Sequence, residues 1–297
     1  MRALSGFRLP ALVLVTAVWG YTFVPVQDAV AVYPLFAFLA LRFAISSAVL
    51  APFAWGSLRR LPRSGALAGA GVGLLLAAAY ALQTAGLDRT TVASTGFITG
   101  LYVVLTPLLA LAVFRTPVPV VVWVGAGLSV LGLLLLNGVP GGSALGNALV
   151  LANAVAQACQ ITAMERFAPQ YDARALTFLQ MAVSCVAFLV IAISLGQLEM
   201  PHGSTVWSAL VVTGVFAGAL GYLIATWVQA RTTAARAALV FTLEAPFAAL
   251  FGVLLAEEHL GTMGWLGCGV MLAAIVIAQP AAAGVLRRLV SAGGRAA

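Results

Sequence analysis

Glu244 stands alone as an acid inside an apolar run that extends from about residue 234 to 256. An ionised carboxylate at that depth is costly unless it is paired or hydrated. It could answer a ligand's ammonium group, carry a proton, or form a fixed pair with Arg42, the one arginine inside an apolar run. Arg42 could equally meet a ligand carboxylate. Around them the apolar runs hold Trp19, Tyr80, Tyr102 and Tyr222, which can build aromatic walls, and Gln83, Thr99, Asn153 and Gln157, which can orient polar groups. Rings with a few placed polar groups suit a small amphiphilic ligand.

Groups for covalent chemistry are missing from the sequence. It has no Walker A segment, no HExxH, no GxSxG and no close pair of intramembrane carboxylates. We therefore expect no enzyme, no catalytic residue, no metal and no cofactor. His202 and His259 fall in connecting loops, and Cys159, Cys185 and Cys268 lie unpaired in apolar runs, as packing residues do.

The elements that must position these residues are membrane spans. Of 297 residues 63% are hydrophobic and 8% charged, against roughly 25% charged in soluble domains. Apolar runs of about 20 residues, each enough to cross a hydrocarbon core of about 30 Å, recur along the chain. They do not alternate polar and apolar positions, which argues against a β-barrel. The spacing predicts about ten helices, near 9–28, 34–55, 65–87, 92–114, 118–137, 145–165, 174–195, 206–229, 234–256 and 262–282. The first run is longer than a signal-peptide core and is kept as a span.

The net charge of +7 comes from arginines placed between runs. That pattern fits the positive-inside rule better than a nucleic-acid partner. With the N-terminus in the cytoplasm, 13 of the 15 arginines fall inside, including Arg59, Arg60, Arg63, Arg166, Arg174, Arg287, Arg288 and Arg295. Both termini are then cytoplasmic.

The chain is internally duplicated. Tyr80, Thr84 and Arg89-Thr90-Thr91 recur as Tyr222, Thr226 and Arg231-Thr232-Thr233 at an offset of 142, as does Trp123-x-Gly125-x-Gly127 in Trp265-x-Gly267-x-Gly269. A weaker copy at an offset of 138 sets Arg42 opposite Gln180. The halves are 1–140 and 141–297, each with five spans. Five is odd, so the copies insert with opposite orientations, an arrangement found in secondary transporters with a midplane site.

Helical spacing separates striped spans from plain ones. Asn153, Gln157 and Gln160 share one face of the sixth, and Thr95, Thr99, Tyr102 and Thr106 one face of the fourth. The fifth and tenth are almost wholly apolar. Four helices of each half are thus expected around a central cavity with the fifth outside; polar contacts between helices with no cavity are the alternative. Pro107 and Pro246 stand in matched places and are candidate kinks.

These residues resemble the drug/metabolite transporter superfamily, specifically its ten-helix EamA-type exporters. The matching marks are Trp19-Gly20, Arg42-Phe43, the Thr-rich start of the fourth span, Leu243-Glu244-Ala245-Pro246, Glu257 and the Gly-rich tenth span. The positions of Tyr80 and Tyr102 are similar to the aromatic amino acid exporter group. The resemblance implies an all-α integral membrane protein, a basket of helices around a central cavity, alternating access, and export of amino acids or related metabolites. Arg115 occupies the place matching Glu257, so the first half lacks that acid. The expected setting is a bacterial inner membrane, with the bilayer and a small-molecule substrate as partners and a monomer or homodimer as the assembly. The other readings are a multidrug exporter of lipophilic cations and, from a different class, a lipid flippase component or membrane enzyme.

Overall fold

The apolar runs fold as helices because in lipid each backbone N–H and C=O must find its partner within the protein. In the computed structural model, which describes residues 3–87, 89–115, 117–138, 141–255 and 259–278, the order is α1 (Ala3–Val30), α2 (Leu35–Arg59), α3 (Arg63–Leu87) and α4 (Val92–Gly100 continued by Tyr102–Phe114). There follow α5 (Val120–Asn137), α6 (Ala144–Phe167), α7 (Ala173–Ser194), α8 (Gly203–Gln229), α9 (Ala234–Phe241 continued by Glu244–Leu255) and α10 (Thr262–Ala278). Among the described residues nine helices are long and apolar enough to cross a membrane, and α10 adds a shorter apolar one. Asp88, Glu257, Glu258, Arg287, Arg288, Arg295 and the expected end of the tenth span at 282 lie outside the described residues.

Side-chain caps mark several starts. Thr91 Oγ1 accepts from Ser94 N at 3.1 Å, Ser143 Oγ from Gly146 N at 3.0 Å and Asp172 Oδ1 from Arg174 N at 2.8 Å. Each satisfies a backbone donor that a helix N-terminus leaves free.

The exterior is unlike that of a water-soluble domain. Leu14, Phe23, Phe53, Leu74, Val190 and Val276 face outward, while Thr16, Ser46, Thr106, Thr177, Gln180 and Ser184 are buried. An apolar exterior over a polar-flecked interior is what a hydrocarbon solvent selects, and the chain is an all-α integral membrane protein.

α2 packs on α7, α3 on α6 and α7, α1 on α8 and the second part of α9, and α4 on α6. α5 and α10 pair with each other through the repeated glycines. A β-carbon on Gly125 would lie 3.1 Å from Ala274 O, and one on Gly267 only 2.6 Å from Gly132 O, whereas Gly127 and Gly269 face open space. The near-contacts occur at matched positions of the two halves, so only the first glycine of each Trp-x-Gly-x-Gly serves close approach.

The two prolines stand differently toward the turns in their helices. In α9 the helix turns at Thr242–Leu243, and Pro246 accounts for it. Lacking an N–H, Pro246 leaves the Thr242 carbonyl to accept from Ala245 N at 3.2 Å instead. In α4 the turn is at Leu101, beside Gly100, where Leu101 N donates to Ile98 O at 3.1 Å. Pro107 lies within the continuous segment Tyr102–Phe114. Its missing donor concerns the Val103 carbonyl, too far along to account for the turn at Leu101.

One irregularity had no sequence signal. Residues Val212–Gly221 of α8 wind as a π-helix. Gly214 and Gly218 bring this segment onto α2, where Ser46 Oγ lies 2.8 Å from Gly214 O and a β-carbon on Gly218 would collide with Ser46 Oγ. The π-helical segment delivers Tyr222 to the middle of the bundle.

Candidate substrate cavity

Trp19 is held first. Its indole Nε1 donates to Ala217 O in the π-helical segment at 3.0 Å, which sets the ring 5.1 Å from Tyr222 and 5.4 Å from Phe241, centroid to centroid. These rings form one wall of a narrow internal cavity of about 20 Å³, completed by Tyr102, Gln157 and Gln160, by Gln229, and by Glu244 with apolar neighbours. Glu244 opens the second part of α9, the middle of a 22-residue span, which puts it about 15 Å from either end at about 1.5 Å per residue. The cavity draws on α1, α4, α6, α8 and α9; α5 and α10 contribute nothing to it.

Its polar groups are incompletely answered. Gln157 Oε1 and Gln229 Nε2 are buried without a hydrogen-bond partner among the described residues. Gln160 is committed, donating from Nε2 to Gln180 Oε1 on α7 at 3.0 Å. Buried polar atoms are rarely left unpaired, so a free acceptor and a free donor beside a carboxylate mark a place prepared for a polar ligand or water. Among the described residues no cluster of His, Cys, Asp or Glu is arranged to hold a metal.

Five of the expected site residues, Trp19, Tyr102, Gln157, Tyr222 and Glu244, meet at this cavity. Tyr80 stands one layer behind, its hydroxyl 3.4 Å from that of Tyr222. Arg42 stands behind Tyr80, with Nη2 donating to the Tyr80 hydroxyl at 3.5 Å, its guanidinium 5.4 Å from the Tyr80 ring centroid, and Nε unpartnered. Arg42 makes no ion pair with Glu244; Asp172–Arg174 is the ion pair among the described residues. Gln83, Thr99 and Asn153 gather elsewhere. Gln83 Nε2 and Asn153 Nδ2 both donate to Thr99 Oγ1, at 3.3 and 2.9 Å, tying α3, α4 and α6 together near the end of α3 and the starts of α4 and α6. These three do not line the cavity.

The halves of the chain, residues 8–138 and 144–278, each match the EamA-like transporter family. The chain belongs to that family. It is 29% identical over 267 residues, 90% of this chain and 83% of the relative, to an uncharacterized transporter of Archaeoglobus fulgidus. A solved crystal structure, 19% identical, superposes with a TM-score of 0.77 over 94% of this chain and 97% of its own. That likeness shows the fold alone. Family membership makes the protein a multi-pass membrane transporter.

Toward the other end of the EamA-like bundle stand contacts not foreseen. Glu165 Oε2 accepts from Ala234 N at 2.9 Å, joining the end of α6 to the start of α9, and Arg8 Nη1 donates to Arg231 O at 3.4 Å. One readable signal existed, since an acid in the last turn of a helix opposes the dipole and so calls for a partner elsewhere. Gln229 and Phe241 were also missed as cavity residues; Gln229 lies near a helix end, where polar residues are unremarkable in sequence.

Proposed function

We propose that this transporter exports or exchanges small amphiphilic metabolites, amino acids first, by alternating access, in a bacterial inner membrane with both termini in the cytoplasm. One observation carries the reading: an unpaired intramembrane carboxylate, Glu244, shares a cavity with four aromatic side chains and two unpartnered amides. Glu244 answers an ammonium group, Gln157 and Gln229 orient a polar backbone, and Trp19, Tyr102 and Phe241 hold an apolar side chain. A substrate carboxylate meets Arg42 through the hydroxyls of Tyr222 and Tyr80. The contacts toward the two ends, Thr99 with its amides and Glu165 with α9, are the ones that open in turn. Counterflow in proteoliposomes with a panel of labelled amino acids tests this, and absence of exchange for every member overturns it.

Export of lipophilic cations is the second reading. It is favoured by Glu244 having no paired cation beside its rings. Expressing cells then gain resistance to quaternary ammonium dyes, and unchanged sensitivity excludes it.

A further inference from the structure

A second concavity, of about 410 Å³, lies away from the transport cavity, at the end of the bundle where α2 turns into α3 and α6 into α7. Phe53, Gly56 and Leu61 form an apolar side, and Ser57, Arg60 and Arg174 a polar side. Phe53 is 64% exposed on the outer, lipid-facing surface, and Gly56 has nothing within 4 Å of where a β-carbon would be, so the apolar side opens outward as a slot. Trp55 is also exposed and lies under the Arg59 guanidinium, 4.9 Å from its ring centroid. A tryptophan stacked with an arginine at the end of a span marks the level of the lipid headgroups.

Charge decides the ligand. The one acid lining the concavity, Asp172, is committed to Arg174, with Arg174 Nε and Nη2 donating at 3.2 and 3.1 Å. Those bonds hold the Asp172 carboxyl below the usual carboxylate range, so this pair is ionised and neutral as a unit. Arg60 remains, its side chain making no hydrogen bond or ion pair among the described residues. Tyr171 and Gln170 are spent on Ser64 Oγ and Arg166 O. An unspent guanidinium matches phosphate oxygens in a fork, and the slot beside it runs along the hydrocarbon face.

We infer that this concavity binds the headgroup of an anionic phospholipid from the adjoining leaflet, with Arg60 on its phosphodiester and the slot over Gly56 receiving the start of an acyl chain. The site is separate from the transport cavity and does not depend on which solute is carried.

Native mass spectrometry of the purified full chain tests it, with phosphatidylglycerol, phosphatidylcholine and inorganic phosphate as probes. Preferential binding of one phosphatidylglycerol is expected. Arg60→Gln should weaken it about fivefold, the effect of one arginine near an anionic surface, while Arg63→Gln, an equal loss of charge outside the concavity, leaves it within about twofold. Gly56→Leu should abolish the preference with an unchanged melting temperature, because the side chain enters open space and leucine favours a helix. Equal losses for Arg60→Gln and Arg63→Gln, equal binding of phosphatidylcholine, or displacement by equimolar inorganic phosphate would each overturn the assignment.

Discussion

The hydroxyls of Tyr80 and Tyr222 lie 3.4 Å apart, and the two residues hold the same position in the two halves of the chain. A residue and its copy can touch in an inverted repeat only beside the pseudo-two-fold axis, so this pair sits at the centre of the bundle. The surroundings then differ. Tyr80 receives Arg42 at 3.5 Å, while Gln180, the counterpart of Arg42, is bonded to Gln160. The charged groups of the interior, Arg42 and Glu244, lie where the symmetry fails.

Tyr222→Phe and Tyr80→Phe should be coupled. Interhelical hydrogen bonds in membrane proteins average about 0.6 kcal/mol, and a double-mutant cycle read by unfolding in detergent should return a coupling of that order. Strict additivity would mean that the two hydroxyls do not interact.

Glu244→Gln should keep the fold, since no ion pair is broken, and should flatten the response of transport to an imposed pH gradient. The measurement is uptake into proteoliposomes with and without the gradient. Full gradient-driven transport by the variant would remove any proton role from this carboxylate.

Removing the Glu165 carboxylate deprives Ala234 N of its acceptor. Glu165→Ala should lower stability by about 1 kcal/mol, the usual cost of losing a helix cap. Hydrogen exchange should quicken at the first turn of α9, and unchanged protection there would show that the contact holds nothing in place.

The glycines of α5 and α10 should separate into two kinds. Gly267→Ala drives a β-carbon to 2.6 Å from the Gly132 carbonyl, a backbone atom, and should cost about 1–3 kcal/mol as overpacking does. Gly127→Ala and Gly269→Ala meet open space and should be neutral or stabilising by up to about 1 kcal/mol, as alanine is in a helix. Thermal unfolding in detergent distinguishes them.

The sequence by itself determined the solvent and the scaffold. Few charges, apolar runs of membrane length and a duplication traced by Tyr80 and Tyr222 leave little choice but helices in lipid. The bare fifth and tenth runs likewise marked α5 and α10 as the pair outside the cavity. Periodicity also showed that Asn153, Gln157 and Gln160 share a face. It could not show that Asn153 would bond Thr99, Gln160 would bond Gln180, and Gln157 alone would face the cavity unpartnered. The π-helical winding that presents Tyr222, the turn at Leu101 and the reach of Glu165 to Ala234 were equally hidden. Helical spacing is a local property that says which side chains point the same way. Which polar group is spent on a neighbour and which is left for a ligand depends on the helices that meet that face, and only tertiary packing decided that.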